Sequence, residues 1–181
     1  MKKLMITAAI VCTAAFAQAA AIDWTASGVV DPWTTATAGK NTAANGWLGY
    51  CILAADYDTV VGDLAQGKTA SLISSAIGDV KTSSSKGQFA ATTAKGTVAA
   101  GDQDFYLIVL NSGKVTDATY FYASAAKTQN VDAELATVVN FPSQATASKP
   151  TTAWTSMAPE PTSGLLLLIG MAGLALKRKH A

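Results

Sequence analysis

Histidine is almost missing from this chain of 181 residues: the single one is His180. No Ser-His-Asp or Cys-His relay can therefore be assembled in the body of the chain. A zinc site of the histidine and cysteine type lacks its ligands for the same reason. Cysteine is scarce too, with only Cys12 and Cys51. Cys12 lies in an apolar N-terminal stretch that reads as a leader, and no small residue precedes it as a lipoprotein signal requires, so lipidation is not expected. That leaves Cys51 with no partner for an intramolecular disulfide, and stability has to come from packing. Its apolar surroundings, Trp47–Ala55, predict a small buried hydrophobe. Arginine occurs once, as Arg178, so no guanidinium is present in the body of the chain to clamp a phosphate or carboxylate. No glycine-rich phosphate loop follows any strand-like stretch.

Carboxylates are the remaining route to acid–base chemistry. Asp56 with Asp58, and Asp102 with Asp104, are spaced two apart, and on a strand each pair shares a face. Glycoside hydrolysis needs two carboxylates across a cleft, which such spacing does not supply. The plain reading is solvated residues bounding strands. Asp56, Asp58 and Asp63 offer oxygen ligands for calcium, but the EF-hand spacing is absent. The expectation is no catalytic residue, no metal and no cofactor: the protein is not an enzyme.

What is present is a chemically distinct segment at each end. Met1–Ala19 has the layout of a secretory leader, with Lys2 and Lys3, then apolar Leu4–Phe16, then Ala17-Gln18-Ala19. Signal peptidase cleavage is expected after Ala19, with Ala21 as the second choice. At the other end Pro159-Glu160-Pro161 forms a rigid elbow that holds Ala158 and Glu160 extended, the shape proteases bind. An uncharged run, Gly164–Leu176, follows, and then the basic stop Lys177-Arg178-Lys179. As a helix the run is about 20 Å long, short of the ~20 residues of a full span. Its basic end belongs on the cytoplasmic side.

This order of elbow, apolar run and basic end, on a chain with a leader, resembles the PEP-CTERM sorting signal of Gram-negative bacteria. The resemblance covers only the tail. It implies processing by an exosortase, a membrane-embedded cysteine transpeptidase-like enzyme, at or near Pro159-Glu160-Pro161. It further implies an inner-membrane-tethered intermediate and delivery to the cell surface or the exopolysaccharide matrix.

With both ends set aside, eight lysines face eleven acidic residues between 20 and 159, a net charge of about −3. No basic stripe is left to neutralise phosphates, so nucleic acid is not an expected partner. The expected partners are signal peptidase, the exosortase, the membrane through the C-terminal helix, and exopolysaccharide.

Periodicity predicts a mainly-β domain over 20–141. Strands are expected at Ile22–Ala26, Gly46–Ala55, Phe105–Leu110, Ala118–Ser124 and Thr137–Phe141, with weaker ones around Phe89 and Val98. Phe105–Leu110 is wholly apolar and belongs mid-sheet with both faces covered, paired to Ala118–Ser124 through a turn at Asn111-Ser112-Gly113-Lys114. Thr69–Val80 places Leu72, Ile73, Ala76 and Ile77 on one helical face, with Gly78 as its stop. Asp56–Asp63 and Lys81–Lys86 read as a turn and a polar loop. The expected fold is a small antiparallel β-sandwich or flattened barrel with one short helix. Residues 142–158, rich in Ser, Thr, Ala and Pro, read as a stalk, although Trp154 could instead pair as a terminal strand. Residues 159–181 form the sorting signal.

Trp24, Trp33, Trp47, Tyr50, Tyr57, Tyr106, Tyr120 and Tyr122 are expected mostly to fill a core otherwise built from small residues. Flat aromatic faces also stack on sugar rings. Trp33 and Trp24 are the candidate ligand aromatics if the domain is a carbohydrate-binding surface module, and Trp33, in a loop, is the one expected to be exposed. The principal expectation is an exported, non-enzymatic surface or matrix protein.

Overall fold

A run of six apolar residues with no polar face has to be covered on both sides, and Phe105–Leu110 is. The computed structural model describes residues 19–37, 40–142 and 154–158. In it the apolar run forms the second half of strand β7, Gly101–Leu110. On one side β7 pairs antiparallel with β4, Leu48–Leu53, in register from Leu48↔Leu110 to Leu53↔Phe105. On its other side two strands share its length. β8, Tyr120–Ala123, pairs with Ile108–Leu110, and β9, Lys127–Val131, pairs with Gly101–Phe105. β5, Lys81–Thr82, lies outside β4, and β11, Trp154–Ser156, lies outside β8. Six strands result, with β4 and β7 at the centre.

A second sheet has three strands: β10 (Thr137–Asn140), β1 (Ala19–Thr25) and β6 (Gly96–Ala99), in that order. β1 runs antiparallel to β6 and parallel to β10, so the wholly antiparallel expectation fails at one pair. Val30–Thr37 (β2) and Lys40–Ala43 (β3) make a separate hairpin in place of the expected loop.

Alternation along β4 and β7 sorts their side chains into two cores. Cys51, Phe105, Leu107 and Val109 join Trp24, Val98, Val139 and Phe141 on the side of the smaller sheet. Tyr50, Ile52, Ile108, Leu110 and Phe121 of β8 face the other way, onto Val60, Leu64 and Leu72 of two helices. These are α1, Ala54–Ala65, and α2, Ala70–Ser75. Gly49 of β4 lets this close packing happen: a Cβ there would lie 2.6 Å from Phe89 Cε1 and 2.9 Å from Trp24.

The two helices correct the expectation of one. Helix α1 occupies the stretch that reads as a turn. Its aspartates break up the apolar run, yet Tyr57, Val60, Val61 and Leu64 fall at helical spacing and pack towards the sheet. Helix α2 is shorter than expected. Leu72 is buried, but Ile73 is 57% exposed, and Ile77 is buried beyond the helix end, its N–H donating to Cys51 O at 2.8 Å. Gly78 has φ +72°, a left-handed turn that ends the segment. The sheets are open, and no closed barrel forms among the described residues. Lys81, expected in a polar loop, is a buried strand residue. The turn after β7 is a longer link containing a 3-10 turn, Val115–Asp117, and Asn111 Oδ1 closes it by accepting the N–H groups of Thr119 and Tyr120 at 2.9 Å each.

Candidate functional site

Trp33 sits on β2 and leans against the outer end of the six-stranded sheet. Its ring centroid lies 4.7 Å from that of Tyr120, 5.3 Å from Trp154 and 6.1 Å from Trp47. Trp47 and Trp154 meet edge to face at 5.3 Å, and Tyr122 lies 5.7 Å from Trp154. The placement follows from strand geometry. Tyr120 and Tyr122 are two apart on β8 and share a face, and Trp154 stands opposite Tyr122 in the β11 register. Trp47 precedes β4, where its N–H donates to Ser83 Oγ at 2.9 Å. Trp47 and Trp154 are buried, while Trp33 remains 41% exposed as the outermost ring. Asp31 Oδ1 accepts the Trp33 N–H at 2.9 Å and sets the backbone under that ring. Burial raises the pKa of Tyr122, which keeps its phenol neutral.

The two candidate ligand aromatics therefore part company. Trp33 is exposed. Trp24 is completely buried between the sheets, 5.6 Å from Phe89 and edge-on to Phe141 at 6.4 Å, so it cannot meet a ligand. The stalk expectation is corrected for residues 154–158. Trp154–Ser156 is a sheet strand, Met157 is buried, and the N–H groups of Met157 and Ala158 donate to Thr119 O and Ala65 O at 2.8 and 3.2 Å.

A buried ion pair lies beside Trp24. Lys81 Nζ donates to Asp23 Oδ1 at 2.5 Å, to Trp24 O, and to Ala90 O at 2.9 Å. Asp23 Oδ2 accepts the Thr92 N–H at 2.6 Å. The Lys81 ammonium also stands 4.8 Å above the Trp24 ring centre. Burial alone would raise the Asp23 pKa. The hydrogen bond from Lys81, with the backbone N–H groups of Trp24 and Thr92, outweighs it and holds the carboxyl below its ordinary 3.8. With each charge hydrogen-bonded on several sides, the pair is a structural brace between β1 and β5.

Cys51 is fully buried, and burial pushes its thiol up to about 12, with smaller effects from the Lys81 charge, which lowers it, and the Asp23 charge, which raises it. It is expected to resist thiol reagents at mildly alkaline pH in the folded chain and to react fully in denaturant. Fast labelling without denaturant would contradict that burial.

The carboxylate pairs do not converge on a reacting centre. Asp56 and Asp58 lie on α1, where a spacing of two points to different sides of the helix. Asp102 and Asp104 do share a face of β7, but each binds across to β9. Asp102 accepts from Asn130 Nδ2 at 2.7 Å and Asp104 from Thr128 Oγ1 at 2.5 Å. No group of three or more potential metal ligands occurs among the described residues.

Ala19 opens β1 and pairs with Ala99. A cut after Ala19 would remove that residue and leave buried Ala20 in the sheet; a cut after Ala21 would remove both. Residues 1–18, with Ala17 of the expected leader, the motif Pro159-Glu160-Pro161, the run Gly164–Leu176 and Lys177-Arg178-Lys179 lie outside the described residues. Among the described residues no helix is long and apolar enough to cross a membrane. Comparison with protein-family models, curated proteins and solved structures finds no match.

Proposed function

We propose that the chain is an exported, non-enzymatic passenger of the PEP-CTERM type, displayed at the cell surface or in the exopolysaccharide matrix. The carrying observation is the order of its ends: a leader through Ala19, then Pro159-Glu160-Pro161, the apolar run and Lys177-Arg178-Lys179. Ala158, whose N–H donates to Ala65 O on α1, immediately precedes Pro159 in the sequence. We read the folded unit as a small sandwich, because the two sheets share one buried cluster. The non-enzymatic reading rests on carboxylates committed to cross-strand partners and on a thiol sealed in the core.

Replacing Pro159-Glu160-Pro161 by three alanines is expected to leave an uncut, membrane-retained form in the native host. Intact mass and membrane fractionation check this. A wild-type chain that accumulates in the host cytoplasm with both ends intact would refute the export reading.

A further inference from the structure

We propose that the tethered domain stands on the membrane on one fixed end, the end carrying Ala65, Thr119 and Ala158, with its acidic opposite end turned away from the anionic lipid surface. This rests on the export reading, in which the run Gly164–Leu176 anchors the chain in the bilayer. Three observations carry it. The first is anchorage within the fold. At Ala158 the chain is still part of the domain: Trp154–Ser156 pairs with β8, and the N–H groups of Met157 and Ala158 donate to Thr119 O and Ala65 O at 2.8 and 3.2 Å. Gly67 and Thr69, after α1, and Val115 and Asp117, ahead of β8, line one groove with Ala158, so these segments mark the same end of the domain.

The second is reach. Pro159, Glu160, Pro161, Thr162 and Ser163 separate Ala158 from Gly164. The steps from Ala158 to Gly164 cover at most about 20 Å even when fully extended. Strand β7, with 10 residues, runs about 30 Å from Leu110, which pairs beside Tyr120, to Gly101. The tether is shorter than the sheet, so the Leu110 end has to stay near the bilayer and the Gly101 end does not. The third is charge. Asp102 and Asp104 lie on β7 at the Gly101 end, where Gly101 pairs with Val131, and Asp132 and Glu134 follow in the next turn. Lys127 on β9 offsets only part of that charge. At the tether end Lys68 and Lys114 balance Asp63 and Asp117. An anionic lipid surface repels the first group and is indifferent to the second, which keeps the domain from lying down on its side.

The test uses the chain left by the expected leader cut, residues 20–181, reconstituted in vesicles of phosphatidylcholine and phosphatidylglycerol. Without the leader the tail is its anchor, and buried Cys51 does not compete for a thiol-reactive fluorophore. The fluorophore is placed by T116C at the tether end or by L135C at the far end, both exposed positions. Lipid carrying a nitroxide on its headgroup quenches whichever probe lies near the membrane surface. Quenching of T116C should exceed that of L135C at least about threefold, since the two ends differ in height by roughly the length of β7. Inserting about twelve Gly and Ser residues after Ala158 lengthens the tether severalfold and should at least halve the T116C quenching. Vesicles that float without the chain would overturn the tail reading, and this proposal with it. A chain that floats with the vesicles but shows equal quenching at both positions, or stronger quenching of L135C, would overturn the orientation alone. T116C quenching unchanged by the longer linker would likewise overturn it, because the short tether is its cause. Anchoring and orientation are thus read separately.

Discussion

Replacing Lys81 by methionine should remove a large share of the stability of the domain. The substitution keeps much of the side-chain volume but leaves the Asp23 carboxylate buried without its cation, and deprives Trp24 O and Ala90 O of a donor. Breaking one side of such a pair costs about 3–5 kcal/mol, a large share of the ~5–15 kcal/mol that holds a domain together. The double variant Asp23→Leu with Lys81→Met removes both charges and should recover most of the loss, since an apolar pair of similar volume is often neutral. Urea denaturation of the single and double variants measures both steps. Equal instability of the single and double variants would show that the pair itself, rather than the stranded charge, matters. The wild type carries a pH signature of the same brace. The Asp23 pKa is lower folded than its ordinary 3.8. Its contribution is therefore complete above that ordinary value and is lost as pH falls below it through the folded value. The unfolding midpoint should drop on acidification below about pH 4, and this component should be absent from the double variant.

A chain ending at Ala158 should fold, and a chain ending at Pro142 should not. Residues 154–158 reach both cores: Trp154 belongs to the cluster between the sheets, and Met157 packs with Leu64 and Phe121 on the helix side. Removing them strips β8 of its outer neighbour and deletes two buried side chains, each of which costs about 2–5 kcal/mol. The sum is comparable with total domain stability. Circular dichroism and a cooperative thermal transition distinguish the two truncations. A cooperative transition of wild-type midpoint in the shorter chain would remove β11 from the folding unit. The chain ending at Ala158 is also the form that a cut just before Pro159 would release.

Several elements are legible in the amino-acid pattern. Phe105–Leu110 can only be a central strand, because no register hides both of its faces at an edge, and it pairs with β4 and β8 on either side. The alternation Tyr120-Phe121-Tyr122 correctly divides aromatic faces between two cores. Helix α1 is equally encoded at positions 57, 60, 61 and 64, but three interleaved aspartates make the short apolar middle look like a turn. Lys81 is not legible. In KTSSSK it looks solvated, and its partner lies 58 positions away on β1. The terminal strand is a weak signal, since three residues carry no periodicity and only the isolated Trp154 hints at burial.

By itself the sequence determined what chemistry is open to this protein. Residue types that are absent cannot be supplied by folding, so a chain whose one histidine is His180 builds no histidine relay in its domain, and long apolar runs must be covered. Only the tertiary structure decided what each ambiguous side chain does. Trp24 and Trp33 are the same residue in similar polar contexts, yet one fills the space between two sheets and the other caps a ring cluster facing solvent. The reason is physical: burial and pairing belong to contacts between residues far apart in the chain, and local sequence carries no record of which distant atoms will arrive.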